Sequence, residues 1–546
     1  MRPGGGSLGI IDFIQIKHRR EPLKANFVER VFPAGQIARA AFIASLFPFF
    51  SGIAMAAPEG SIVIAQPLLI QNHDPVTQVS ASDFLPHTML FDGLVNIGPK
   101  GVYPALATDW KVDNQKLTVD FNLRKGVKFH NGDEFTAEDV KFTFDSILAP
   151  GNVHNRRSTI MTALKSVEVT GRHSVRLHLK RPWADMFTNS RAGGTQQIVP
   201  RNYYEKVGAK GFQRIPVGTG PFKIAEIKDG ESTRFEAFAE YWDGAPSVRF
   251  VTQRLVAEPF TRYAMLERRE ADIAMGLAGP LLTRSMKNPD VRVSYAKNAG
   301  TSVLIFNRVT NPEFNDQRVR SAIMHGIDRQ TIAKSVLGGV CEPATHHFTP
   351  DTFGYNPNIK GVPYDPQKAK ALLKEAGIAP GHKVGFSSHT QSFGSLPNAP
   401  AVLEAIVGYI EALGLQVTRY PVETGAQLAM MRSGKQPSIF YGPSSVPDDG
   451  GSLVETWYTS RAWCKGPCTV NVPYYEEVAD KTNRETDPKA RAKVLQEWAE
   501  TESQRLEMMP LFWCSEPFAY GKRIAEWKPA VGSPYHLNLQ SVVLAK

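Results

Sequence analysis

Short blocks of apolar and polar residues alternate along this chain, and their period switches repeatedly between that of strands and that of helices. Ser61-Ile62-Val63-Ile64-Ala65 is an apolar run of strand length, which predicts a buried strand. Leu117-Thr-Val-Asp-Phe-Asn-Leu123 and Val175-Arg-Leu-His-Leu179 alternate residue by residue, as half-buried antiparallel strands do. Between them Thr136-Ala-Glu-Asp139 forms a capping box that opens a helix with Val140, Phe144 and Ile147 on its apolar face. Val303-Leu-Ile-Phe-Asn307 reads as a buried strand, followed by a helix with Val319, Ala322, Ile323 and Ile327 at helical spacing. Asp365-Pro366 starts a helix that buries Leu372 and Leu373 and stops at Gly377. Leu403, Ile406, Val407, Ile410 and Leu413 mark another helix, which ends at Gly414 and passes into the strand Leu415–Tyr420. Asp487-Pro488 begins the last long helix, predicted to run through Leu495, Trp498 and Leu506 to Pro510. Strands and helices mixed in this way predict an α/β fold, and no internal repeat is present.

Length supports several folding units, since 546 residues at ~150 per domain give three to four. Hydrophobic residues at 42% and charged residues at 21% are globular proportions, which exclude a disordered chain or a small disulfide scaffold. No apolar run reaches the ~20 residues that a membrane-spanning helix needs. The longest, Ala40 to Ala54, follows Arg30 and Arg39 and ends in Ala54-Met-Ala56. A basic flank, a short apolar core and an A-x-A site predict a secretory signal peptide over 1–56, and hence export to the periplasm. The net charge is +10, but basic and acidic residues are interspersed without a Lys/Arg tract, so no nucleic-acid partner is expected.

Four cysteines are present. Cys464-Lys-Gly-Pro-Cys468 closes a short turn-rich loop and is the expected disulfide of an exported protein. Pairing of Cys341 with Cys514 is left open by the sequence. The spacings hold no zinc pattern, and neither metal nor cofactor is expected.

Reaction motifs are missing: the chain has no H-E-x-x-H, no Walker loop and no G-x-S-x-G. Gly218-Thr-Gly220 is followed by Pro221 and Phe222, so it reads as a turn and not as a phosphate cradle. Ser294-x-x-Lys297 has the spacing of a serine acyl enzyme and is the basis of a rival reading, an exported serine hydrolase. His346-His347 is the one adjacent His pair. Neighbouring strand residues face opposite ways, so the pair cannot easily clasp one metal, and a surface or cleft-rim role is expected in place of ligation. The leading expectation is a binder without catalytic residues.

An ordered set of motifs then resembles a known family. Leu90-Phe-Asp-Gly-Leu-Val95, Pro104-Ala-Leu-Ala-Thr-Asp-Trp110, Phe121 to Asp133 and Phe135-Thr-Ala-Glu-Asp-Val140 open the set. Pro216-Val-Gly-Thr-Gly-Pro-Phe222, Tyr241-Trp242, Phe306-Asn307, Asp316-Gln-Arg-Val-Arg320 and Ile327-Asp-Arg329 continue it in order. Together they resemble the family-5 extracytoplasmic solute-binding proteins, the dipeptide, oligopeptide and nickel receptors of ABC importers. The resemblance implies a two-lobed flytrap with an extra subdomain. Lobe I would comprise 58–95, 217–306 and 513–546, the subdomain 96–216, and lobe II 307–512. The strands near Phe306 and Leu511-Phe512 would be hinge crossings.

The resemblance also implies which residues meet the solute: Ser82 and Asp83 from the first lobe, and His389, Gln391, Phe393, Tyr441, Ser444 and Ser445 from the second. Peptide-binding relatives carry an acidic group for the ligand amine where Pro443 or Ser444 stands here, and an Arg for its carboxylate where Phe393 stands. Losing both charges argues against a plain dipeptide. A longer or modified peptide, or an opine-like amino acid–sugar conjugate, fits the remaining hydroxyl, amide and aromatic groups. A nickel chelate held by His389 is the alternative. The implied partner is a membrane ABC permease, and the protein is expected to be a monomer.

Overall fold

The computed structural model describes residues 58–69, 72–78, 84–98, 101–154, 157–187, 196–390, 396–444, 449–459, 473–529 and 537–546. The stretch 1–56 expected to be a signal peptide, the solute candidates Ser82, Asp83, Gln391, Phe393 and Ser445, and the expected pair Cys464–Cys468 all lie outside the described residues.

Two long antiparallel strands, Val291–Phe306 and Met508–Gly521, organise the fold. They pair from Val291–Gly521 at one end to Ile305–Met508 at the other, with a register break between Ala296 and Gly300. On one side of that break the sheet continues through Ile273–Met275, Glu59–Gln66, Val248–Leu255, Ser232–Ala237 and Phe222–Lys228. On the other it continues through Ile439–Ser444, Lys383–His389 and Gln416–Val422, while Cys341–Pro343 pairs with Phe512–Cys514. One mixed sheet thus has two half-sheets joined by a shared strand pair.

Alternation builds a helix layer on each face of the second half-sheet. Leu304 and Phe306 turn to a core lined by the helices Gln317–Gly326, Pro366–Glu375 and Ala399–Ala412. Val303 and Ile305 turn the other way, to Gly450–Tyr458, Pro473–Arg484 and Pro488–Arg505. Pro366–Glu375 and Pro488–Arg505 begin where the sequence places them, because their caps are local. Asp365 accepts from the Lys368 N–H and Asp487 from the Ala490 N–H, each with proline next in the chain. The last helix stops at Arg505, short of the expected Pro510: Leu506 takes a left-handed φ of 50° and Met508 opens the strand. Pro510 has no N–H for the ladder, and the register slips beside it, between Ser302 and Val303.

The first half-sheet shares its core with a separate four-stranded antiparallel sheet made of Ala107–Asp113, Thr118–Leu123, Ser174–Leu179 and Leu164–Gly171. The helix Ala137–Leu148 covers that sheet and buries Val140, Phe144 and Ile147. The Asp139 carboxylate accepts from the Thr136 N–H at 2.8 Å, the return half of a capping box.

Candidate functional site: facing strand ends across the shared pair

Strand direction alone brings two sets of carboxyl ends face to face. Val291–Phe306 runs from the first half-sheet into the second, and Met508–Gly521 runs back. Ile439–Ser444 is antiparallel to the first of these and parallel to Lys383–His389, so both end pointing at the first half-sheet. Ile273–Met275 is antiparallel to Met508–Gly521 and parallel to Glu59–Gln66, so these two end pointing at the second. The crevice beyond the carboxyl ends of parallel strands is where α/β sheets bind ligands. Ser444 pairs with Thr301, and Met275 lies at the level of Ser294, opposite Phe518. Seven residues at ~3.3 Å each give a span of at most about 23 Å, room for a small solute.

His389 and Ser444 are the last residues of their strands, so the structure brings these two expected contacts to one edge. The His389 ring meets Phe440 edge-on at 5.7 Å, and burial lowers its imidazole to about 4, which keeps it neutral at pH 7. The Ser444 hydroxyl is buried with no hydrogen-bond partner among the described residues. Tyr441 is fully buried in the core with Ile439 and Leu304, and burial raises its phenol well above the usual range. Thr301 and Trp513 share this edge and were not among the sequence candidates. Thr301 donates to the His347 carbonyl at 2.9 Å, and the Trp513 indole to the His346 carbonyl at 3.0 Å.

His346 and His347 are therefore interior residues, which corrects the expectation of a surface or rim position. His346 packs against Tyr355 and Trp513 at 4.9 and 5.8 Å, and both His side chains are buried. His347 Nδ1 lies 3.0 Å from the Tyr458 hydroxyl, which is 3.2 Å from Glu502 Oε1. Tyr475 donates to Glu502 Oε2 at 2.5 Å, and the N–H groups of Glu507 and Met508 donate to Oε1. Burial, and then the nearby Glu507 charge, push the Glu502 carboxyl up to about 8. The folded protein thus keeps a proton that the unfolded chain releases near pH 4. The stability this contributes is complete below about pH 4 and falls as pH rises towards 8, by up to ~1.4 kcal/mol per pH unit for one proton. Urea midpoints of the native protein should therefore drop relative to Glu502→Gln between pH 5 and pH 8. Parallel curves would show that the carboxyl is ionised throughout.

On the first half-sheet, Arg262 holds the facing strand ends and was also missed by the sequence reading. Its guanidinium donates to the carbonyls of Met275, Val256, Ala257 and Gly276 at 2.7–3.0 Å. Those carbonyls follow the ends of two strands, so one buried cation fixes both. Its sequence signal is a charge on the buried face of the helix Pro259–Glu267, beside Met265 and Leu266.

The motifs that carried the resemblance hold the fold together. Asp92 is buried and accepts from the Thr219 hydroxyl at 2.9 Å, the Tyr241 hydroxyl at 3.1 Å and the Trp242 indole at 2.9 Å. Gly218 and Gly220 press on the backbone of Leu90, where a β-carbon would come within 2.0 and 2.5 Å of its O and C atoms. Arg329 donates to the carbonyls of Ala344 and Val362 at 2.5 Å, and Arg320 to those of Leu506, Phe314, Asn315 and Arg505. Ser294 lies on the regular part of Val291–Phe306, and Lys297 falls inside its register break.

Residues 101–464 match the model of the bacterial extracellular solute-binding proteins, family 5, middle region. The chain belongs to this family. Among curated relatives of this family-5 protein, the di/tripeptide-binding protein 2 of Pseudomonas aeruginosa is 28% identical over 499 residues, which span 85% of this chain and 92% of that protein. Among solved structures, the dipeptide-binding protein of Pseudoalteromonas sp. SM9913 with Met-Leu superposes with a TM-score of 0.81 at 22% identity, covering 89% of this chain and all of that one. MoaA of A. tumefaciens R10 with mannopinic acid gives 0.77 at 24% identity, covering 89% and 99%. The family-5 chain therefore has the two-lobed α/β fold of these binding proteins.

Proposed function

We propose that this protein is an extracytoplasmic receptor that captures a peptide-like or opine-like solute between its lobes and delivers it, as a monomer, to the permease of an ABC importer. The facing carboxyl ends carry this reading, because they make a crevice floored by strands common to both lobes. We place the crossings between the lobes inside the long strands, at Ala296–Gly300 and Cys514–Glu516, where the register breaks, in place of the crossings near Phe306 and Leu511-Phe512 that the family resemblance implies. A solute bridging both lobes shifts the hinge equilibrium by its extra affinity for the closed form.

His389 and Ser444 are the described members of the proposed contact set, with Tyr441 beneath them, and Ser82, Asp83, Gln391, Phe393 and Ser445 complete it. An edge of neutral imidazole and hydroxyl groups suits a solute whose own charges are few or paired internally. The nickel-chelate reading rests on His389 alone.

Thermal melting of the exported form against peptides, opine-type conjugates, sugars and nickel chelates tests the proposal. A solute at 100 times its Kd adds ~2.7 kcal/mol to the folded state. A saturable shift from peptides or opines, with the solute recovered unchanged, is expected. A shift from sugars or nickel chelates alone, or turnover of the solute, would overturn it. If nothing shifts, mass spectrometry of the denatured protein decides: a co-purified peptide or opine supports the reading, and an empty protein counts against it.

A further inference from the structure

Two pieces of chain far apart in sequence meet through hydrogen bonds that side chains make. Thr162, in the helix Arg157–Ala163, and Arg181 belong to the four-stranded-sheet unit, whose core takes in Ile160 and Ala163. Glu455 and Asn483 belong to the helices Gly450–Tyr458 and Pro473–Arg484, rooted in a different core through Leu453, Val454, Trp457 and Ala479. The Arg181 guanidinium donates to the Asn483 carbonyl at 3.4 Å and to the Thr162 hydroxyl at 3.1 Å. That hydroxyl lies 3.5 Å from Glu455 Oε1, and the Asn483 amide donates to Glu455 Oε2 at 3.0 Å. Four residues, two from each side, thereby close a ring. Glu455 is 2% exposed and Asn483 1%.

A second electrostatic link lies alongside. Asp185, from the first side, interacts with Arg491 of the second. Arg491 clasps Asp449 with two hydrogen bonds of 2.5 and 2.6 Å, and Asp449 caps the helix that carries Glu455 by accepting from the Gly451 N–H at 2.9 Å. In the sequence that helix begins five residues after Ser445, one of the proposed solute contacts.

We propose that Thr162, Arg181, Glu455 and Asn483 are positioning residues that latch the subdomain to the second lobe. On this proposal, which rests on the two-lobed receptor reading, the latch sets how much of the solute-free protein is closed. Polar side chains joined without backbone pairing lose little when they separate into water, so such a contact can make and break as lobes rock. Apparent affinity then scales with the closed fraction, although none of the four need touch the solute. An ion-assisted, partly exposed contact also weakens with salt.

Small-angle X-ray scattering of solute-free exported protein tests this, with native chain and Thr162→Val/Arg181→Met compared at 0.05 and 1 M NaCl. The native radius of gyration should rise with salt. The double variant should be larger at low salt and insensitive to it, and Arg181→Lys should restore part of the native response. Superimposable curves with the same salt response would overturn the latch. Should circular dichroism show the double variant unfolded, Glu455→Gln, which keeps the shape, takes its place with the same two outcomes. Since no solute is present, failure of the latch is separate from failure of the solute reading: salt-dependent expansion with no melting shift from any solute would leave the latch standing.

Discussion

Asp92→Ala should lower the stability of the folded protein by roughly 3–5 kcal/mol, with neither His389 nor Ser444 of the proposed solute edge altered. The carboxylate is buried and satisfies the Thr219 and Tyr241 hydroxyls and the Trp242 indole. Burial, and less strongly the nearby Asp243 charge, raise its pKa, and the three donors oppose that shift without cancelling it. Alanine leaves three buried donors without an acceptor, each costing ~1–3 kcal/mol. Asp92→Asn keeps one acceptor oxygen and should lose less. Urea unfolding of the pair checks both the size and the order. A loss under ~1 kcal/mol for alanine would mean that water or another group replaces the carboxylate.

Removing the disulfide should have a comparable effect through the unfolded state. The structure pairs Cys341 with Cys514 across 173 residues, on directly opposed positions of Cys341–Pro343 and Met508–Gly521. Closing so long a loop restricts the unfolded chain by up to ~5 kcal/mol in the chain-entropy account. The double variant Cys341→Ala/Cys514→Ala should therefore unfold at markedly lower urea concentration than the oxidised protein. Reductant should then have no further effect on that transition beyond whatever Cys464 and Cys468 contribute. An unchanged midpoint would show that the sheet already restrains these strands without the bond.

The fold was legible where its cause is local. Asp365-Pro366 and Asp487-Pro488 cap helices by contacts within three residues, and Val140, Phe144 and Ile147 declare a buried face by spacing alone. Where the cause is distant, the sequence was silent or misleading. Leu506, Met508 and Met509 extend the apolar character of the last helix, yet Leu506 ends it and pairing with Ile305 and Leu304 makes Met508 and Met509 strand. Asn298-Ala-Gly300 interrupts the pattern of Val291–Phe306, so half of the long strand went unseen. His346 and His347 were expected at a surface or cleft rim, yet Trp513, Tyr355 and Tyr458 enclose them. The disulfide joins residues that only the sheet brings together.

The candidate site divides in the same way. His389 and Ser444 came from loops matched to relatives, and the structure sets both at strand ends. Thr301, Trp513 and Arg262 gave no motif, because their roles depend on which strands lie side by side. Asp92, Thr219 and Trp242 gave the strongest motifs, and what they report is the frame. A frame shared by many receptors says little about which solute each one takes.

The place of Met508–Gly521 in the sheet has a consequence for how the chain is made. That strand lies between Val291–Phe306 and Ile273–Met275, so neither half-sheet is complete until nearly the whole polypeptide has left the ribosome. Pairings of such long range form slowly. A chain of this design can build its separate four-stranded sheet early, but closes its central sheet only once its last long strand has been made.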